Sequence, residues 1–77
     1  MDNKVFLLKL GQRISKLRKE RNITQIELSH RCDFDRSNLR RIESGRTNPT
    51  SLTLKRIAEG LEITVDELLK FEEKKKS

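Results

Sequence analysis

Seventy-seven residues carrying a net charge of +6, with 39% charged and 32% hydrophobic, suffice for one domain with a modest core. A single cysteine excludes an intrachain disulfide and fits a reducing, cytoplasmic setting. No apolar run approaches a membrane span, and VFLLKL (Val5 to Leu10) is too short and interrupted for a signal-peptide core.

Met1 to Lys4 are expected to be loosely held. From Val5 to Arg21, the residues Phe6, Leu10, Ile14 and Leu17 recur at helical spacing, with Lys9, Arg13, Lys16 and Lys19 around them. That pattern predicts a long amphipathic helix. Gly11 weakens such a helix by about 1 kcal/mol relative to Ala, so a second helix should cross closely there. Asn22 suits the helix exit, and Ile23 should pack inward as the chain turns.

Thr24 opens the next helix, with Glu27 placed to close a capping box. Ile26 or Leu28 faces inward, and Ser29 is small enough for another helix to come near. Cys32, Asp33 and Phe34 interrupt the pattern. Asp35 then caps the segment RSNLRRIES, and Gly45 supplies a left-handed stop. At about 100° per residue, Leu39, Ile42 and the methylenes of Glu43 share one side of this short helix. Ser37, Arg40, Arg41 and Ser44 share the other, with Arg36 at the leading edge. Such a helix has the size and chemistry to enter a DNA major groove. There Arg pairs bidentately with guanine, and Ser bonds a base edge or a phosphate. Taken alone, the arginines fit a solvated helix face equally well.

Beyond Gly45, the segment Arg46-Thr47-Asn48-Pro49 reads as a loop, since Pro49 blocks helix continuation, and Thr50 can cap the next helix. Leu52, Leu54, Ile57, Ala58 and Leu61 predict that fourth helix, ending at Gly60 or just after. Thr64 opens a fifth, again with a capping box through Glu67, and Val65, Leu68 and Leu69 supply its apolar side. Glu72 to Ser77 is a charge run without an apolar anchor, expected to be a disordered tail after a domain spanning 1–71. With no strand signal, the expected architecture is all-α, a bundle of five helices.

Enzyme chemistry finds no foothold. His30 and Cys32 have no second Cys or His to complete a metal site, and zinc needs three or four such ligands. Near neighbours on a helix do not face each other, which also disfavours a Cys–His nucleophile pair. The three glycines lie too far apart for a phosphate-cradling loop. No metal, cofactor or small-molecule ligand is expected.

The ordered set LGQRISKLRKERNITQIELS, IESGRTNP and LTLKRIAEGLEI resembles the helix-turn-helix of the lambda repressor/Cro-like (XRE-type) DNA-binding family, from roughly Leu10 to Leu69. Asp33 stands where that family usually has Gly, and Ser29 where it usually has Ala. The resemblance implies a sequence-specific regulator that binds double-stranded DNA. It places Arg36, Ser37 and Arg41 at base-contacting positions, with Arg40 nearby as a base or phosphate contact. It assigns Gln25 to a phosphate, and places Ser44, Arg46, Thr47 and Asn48 where the family grips the DNA backbone. It also implies an ion pair between Arg18 and Glu43.

Proteins of this type usually act as two-fold dimers on inverted-repeat operators, with half-sites about 34 Å apart. Candidates for the dimer surface are Ile63, Val65, Leu69 and Phe71, with Ile63 better placed in the monomer core. A protein-docking module of the same fold would show an acidic or apolar outer face on the recognition helix, against which Arg36, Arg40 and Arg41 argue. RNA binding is disfavoured because no aromatic residue is placed to stack bases. A prophage-type repressor, a restriction–modification controller and an antitoxin remain open.

Overall fold

The computed structural model describes residues 2–71, and five helices appear among them: α1 (Asn3–Glu20), α2 (Gln25–Cys32), α3 (Arg36–Glu43), α4 (Ser51–Gly60) and α5 (Val65–Leu68). The Glu72 to Ser77 tail lies outside the described residues. No strand occurs among the described residues, nor any helix long and apolar enough to cross a membrane.

Helix α1 begins earlier than its apolar pattern indicates. Asp2 accepts a hydrogen bond from the Lys4 amide at 2.9 Å, so the chain from Asn3 onward is helical rather than loose. A carboxylate at that position satisfies an otherwise unpaired amide and lies at the positive end of the helix dipole. Thr24, Thr50 and Thr64 each cap a helix in the same way, accepting from the amides of Glu27, Thr53 and Glu67. The reciprocal half of the expected capping boxes is absent. The Glu27 carboxylate pairs with Arg31 at 2.9 Å, and that of Glu67 lies 3.6 Å from Arg13 and 3.8 Å from Lys70. Asp35 occupies the N-cap of α3, but its side chain makes no capping bond.

Four helix exits share one device. Asn22, Asp33, Gly45 and Glu62 have φ of 57, 60, 77 and 62°. In each case the next residue's amide donates back to the carbonyl five positions earlier: Ile23 to Arg18, Phe34 to Ser29, Arg46 to Arg41 and Ile63 to Ala58. This is the Schellman arrangement, which satisfies carbonyls that the helix leaves unpaired. Asp33 thus adopts the left-handed turn usually held by Gly, a conformation Asp tolerates through local hydrogen bonding.

The core joins all five helices through Leu10, Ile14, Leu17, Ile23, Leu28, Cys32, Leu39, Ile42, Ile57, Ala58, Leu61 and Leu68. Helix α2 packs on α3 and α4, and α1 crosses α3. Gly11 sits at that crossing: a methyl there would meet the carbonyl oxygens of Glu43 and Ile42, the latter at 2.6 Å.

Of the pair Ile26 and Leu28, Leu28 takes the core position and Ile26 is exposed. Two apolar residues depart from the inward positions their spacing suggested. Leu52 is exposed in the first turn of α4. Phe6 is 37% exposed and packs against Phe71, ring centroids 5.3 Å apart, so the end of the described chain is held against α1.

Candidate nucleic-acid interface

Helix α3 is anchored by Leu39 and Ile42, 0% and 2% exposed. Arg36, Ser37, Arg40 and Arg41 stand exposed on its other side. Nothing in the described chain covers that face. Arg41 reaches back to the side-chain amide oxygen of Asn38, Oδ1, at 3.5 Å, a long contact that leaves most of its donors available.

One carboxylate fixes this helix to its neighbours. Glu43 receives Arg18 Nε at 2.7 Å on Oε2 and Arg18 Nη2 at 3.0 Å on Oε1, a bidentate pair. The two side chains are 10% and 7% exposed. The remaining Arg18 nitrogen, Nη1, donates to the Ile23 carbonyl at 3.0 Å. Gln25 also donates to Glu43 Oε1 at 3.0 Å. A primary amide nitrogen carries two hydrogens, so Gln25 keeps one donor for an outside acceptor while Glu43 fixes its orientation.

An open cleft of about 760 Å³ separates α1 from α3. It brings together Gln25, Ser37, Arg40, Arg41, Ser44 and Arg46. The Ser44 hydroxyl donates to the Arg41 carbonyl at 3.1 Å, which leaves its oxygen available as an acceptor. Arg36 lies at the leading end of α3, outside the cleft lining. Thr47 is half-buried and Asn48 exposed in the loop beyond Gly45, also outside it.

Across the cleft stand four α1 residues that received no role from the sequence: Gln12, Ser15, Lys16 and Lys19. Their i, i+3, i+4, i+7 spacing marks a single helix face, and that signal was available. Which element the face meets depends on the α1–α3 crossing at Gly11.

His30 and Cys32 do not form a site. His30 is exposed, whereas Cys32 is buried and its thiol lies 3.4 Å from the Arg56 carbonyl oxygen. Burial pushes the Cys32 thiol up from 9.0 to about 11, against a smaller lowering by the Arg56 charge.

A family model described as helix-turn-helix, HTH_3, matches residues 14–68. The chain belongs to that family. Among the relatives of this helix-turn-helix protein is the immunity repressor of Bacillus phage phi105, 42% identical over 60 residues. That match covers 78% of the chain but only 42% of the repressor's own length. The restriction-modification controller C.AhdI from Aeromonas hydrophila is similar in structure, with a TM-score of 0.79 and 32% identity over 80% of this chain and 94% of that one. The controller C.Esp1396I, solved as a tetramer in complex with its natural 35-base-pair operator, gives 0.76 and 33% over 83% and 88%.

Proposed function

We propose that this helix-turn-helix protein, a DNA-binding transcriptional regulator by family, reads a specific double-stranded operator by placing α3 in the major groove. The observation that carries this reading is the uncovered outer face of α3, with Leu39 and Ile42 buried beneath it. Arg36, Ser37, Arg40 and Arg41 are the base-reading set. Arg40 and Arg41 have the fork geometry that suits guanine O6 and N7.

Gln25, Ser44, Arg46, Thr47 and Asn48 position the backbone on either side of the groove. Gln25 does so with the amide hydrogen that Glu43 leaves unused and with the N-terminus of α2. Arg46 is the charged member of the set, and its amide closes the α3 exit.

The active species on this reading is a homodimer that spans an inverted repeat. Support comes from Val65, Leu69 and Phe71, half-buried apolar residues gathered around α5. A 1–71 domain acting in the cytoplasm is consistent with a buried, unpaired Cys32. A controller-type role draws support from the match to C.AhdI over nearly that protein's whole length.

Selection from a random duplex pool at moderate salt tests the reading, with the expected outcome an enriched inverted repeat. Failure to prefer any sequence over the starting pool would refute it. Sedimentation separately tests the dimer, which a strict monomer at high micromolar concentration would exclude.

A further inference from the structure

The cleft between α1 and α3 has cations on both walls. Arg40, Arg41 and Arg46 line one side, and Lys16 and Lys19 line the other. The acid among its lining residues is Glu43, whose carboxylate is already engaged by Arg18 and Gln25. Beside the cations, Gln12 and Ser15 on α1 supply an amide and a hydroxyl, both of which bond phosphate oxygens.

Lys16 is 3.1 Å from Glu20, but both side chains are more than half exposed, at 66% and 51%. A pair so exposed is weak and easily exchanged. The cleft is lined by polar and charged residues and is open to solvent, unlike an enclosed small-molecule pocket lined by hydrophobic side chains. What fits two facing rows of cations is an extended polyanion passing between them.

We propose that the α1 wall is a second backbone-binding surface, on which Lys16 and Lys19 neutralise phosphates of the duplex strand that lies in the cleft. The inference rests on the placement of α3 in the major groove and adds residues to it. Lys16 and Lys19 touch phosphates and not bases, so they contribute affinity and salt dependence without sequence preference.

The test is duplex binding by fluorescence anisotropy across a salt series, with the full chain and two duplexes, the selected operator and an unrelated sequence. Each neutralised phosphate contributes about 0.9 to the slope of log affinity against log salt. Lys16→Ala and Lys19→Ala should each flatten the slope by about 0.9, and the double variant by about twice that, on both duplexes. Lys19→Arg should keep the slope of the parent. Lys55→Ala, an exposed α4 residue paired with Glu59 outside the cleft, should leave it unchanged. All three lysines are exposed, so thermal melts should coincide and folding does not confuse the result.

A double variant with the parent slope, while Arg46→Ala flattens it, would overturn the α1 wall and leave the operator reading standing. Equal flattening by Lys55→Ala would overturn it too, since net charge alone would then explain the effect. If the parent chain binds neither duplex, the operator reading fails first and the inference falls with it.

Discussion

Removing the guanidinium of Arg18 tests the link between the bundle and its reading helix. In Arg18→Met, Glu43 keeps one donor of its three, the Gln25 amide at 3.0 Å, and loses the bonds at 2.7 and 3.0 Å. With a side chain only 7% exposed, Glu43 is then a buried and largely uncompensated carboxylate. Breaking a buried pair in this way costs about 3–5 kcal/mol. A chain of this size has a total stability of roughly 4–12 kcal/mol, so the variant should lose a quarter of it or more. The double variant Arg18→Met/Glu43→Leu leaves no charge behind. Its loss should fall short of the summed single losses by about 2–3 kcal/mol. Urea unfolding followed by circular dichroism measures both quantities. If Arg18→Met costs less than about 1 kcal/mol, or the two changes add within about 0.5 kcal/mol, the pair is not what clamps α3.

Three further outcomes are expected. Arg41→Ala should cost about 1–3 kcal/mol on the preferred operator and relax preference at one base pair, whereas Arg46→Ala should weaken all duplexes alike. Competition titrations separate the two, and equal loss on every sequence for both would refute the division between reading and positioning. Gly11→Ala gains about 1 kcal/mol in helix propensity, but its methyl meets backbone oxygens of α3 that no side-chain rotation can clear. A net destabilisation of about 1–3 kcal/mol together with weaker duplex binding should result, and an unchanged melting temperature would contradict it. For Cys32, the folded chain holds the thiol proton more tightly than the unfolded chain. Its contribution is therefore complete below pH 9.0 and lost as pH rises towards about 11. Relative to the parent, Cys32→Ala should gain up to about 2 kcal/mol between those limits; a constant gap across that range would exclude the effect.

Much of the fold was legible because it depends on local rules. Leu10, Ile14 and Leu17 mark the buried face of α1 by spacing alone, and three threonines mark the starts of α2, α4 and α5. Gly11 signalled a close crossing because a glycine inside a helix needs a packing reason. What escaped was decided by partners distant in sequence or by competition among near ones. The Phe6–Phe71 contact joins the two ends of the described chain, which no window of local pattern can register. Asp2 looked like part of a frayed end because a single residue precedes it, yet its carboxylate was enough to start the helix. Glu27 had two suitable partners within four residues, and the guanidinium of Arg31 took it. The outer face of α3 was readable from periodicity, whereas the role of Gln25 and the Arg18–Glu43 pair came from family resemblance. The α1 stripe was visible as a stripe, but not as the wall of a cleft.

The nine arginines explain why net charge says so little about where a polyanion would lie. Arg13 donates to the Glu67 carbonyl at 2.9 Å, Arg21 to that of Leu61 at 3.1 Å, and Arg31 to that of Gly60 at 2.8 Å. Arg18 adds the Ile23 carbonyl to its ion pair. These four complete backbone carbonyls around helix ends, a structural use of the fork-shaped donor. Of the five that make no such bond to a backbone carbonyl among the described residues, Arg36, Arg40, Arg41 and Arg46 lie on or just beyond α3, and Arg56 lies on α4. The helix exits divide in the same way. The residue after the left-handed turn is apolar in three of them, Ile23, Phe34 and Ile63, and packs on or in the core. Only after Gly45 is it a charged residue, Arg46, exposed at the cleft. A hydrophobic contact usually accompanies this turn, and its replacement by a guanidinium gives up packing at the one exit that faces the proposed duplex. The departure from the local rule and the concentration of uncommitted arginines therefore mark the same surface.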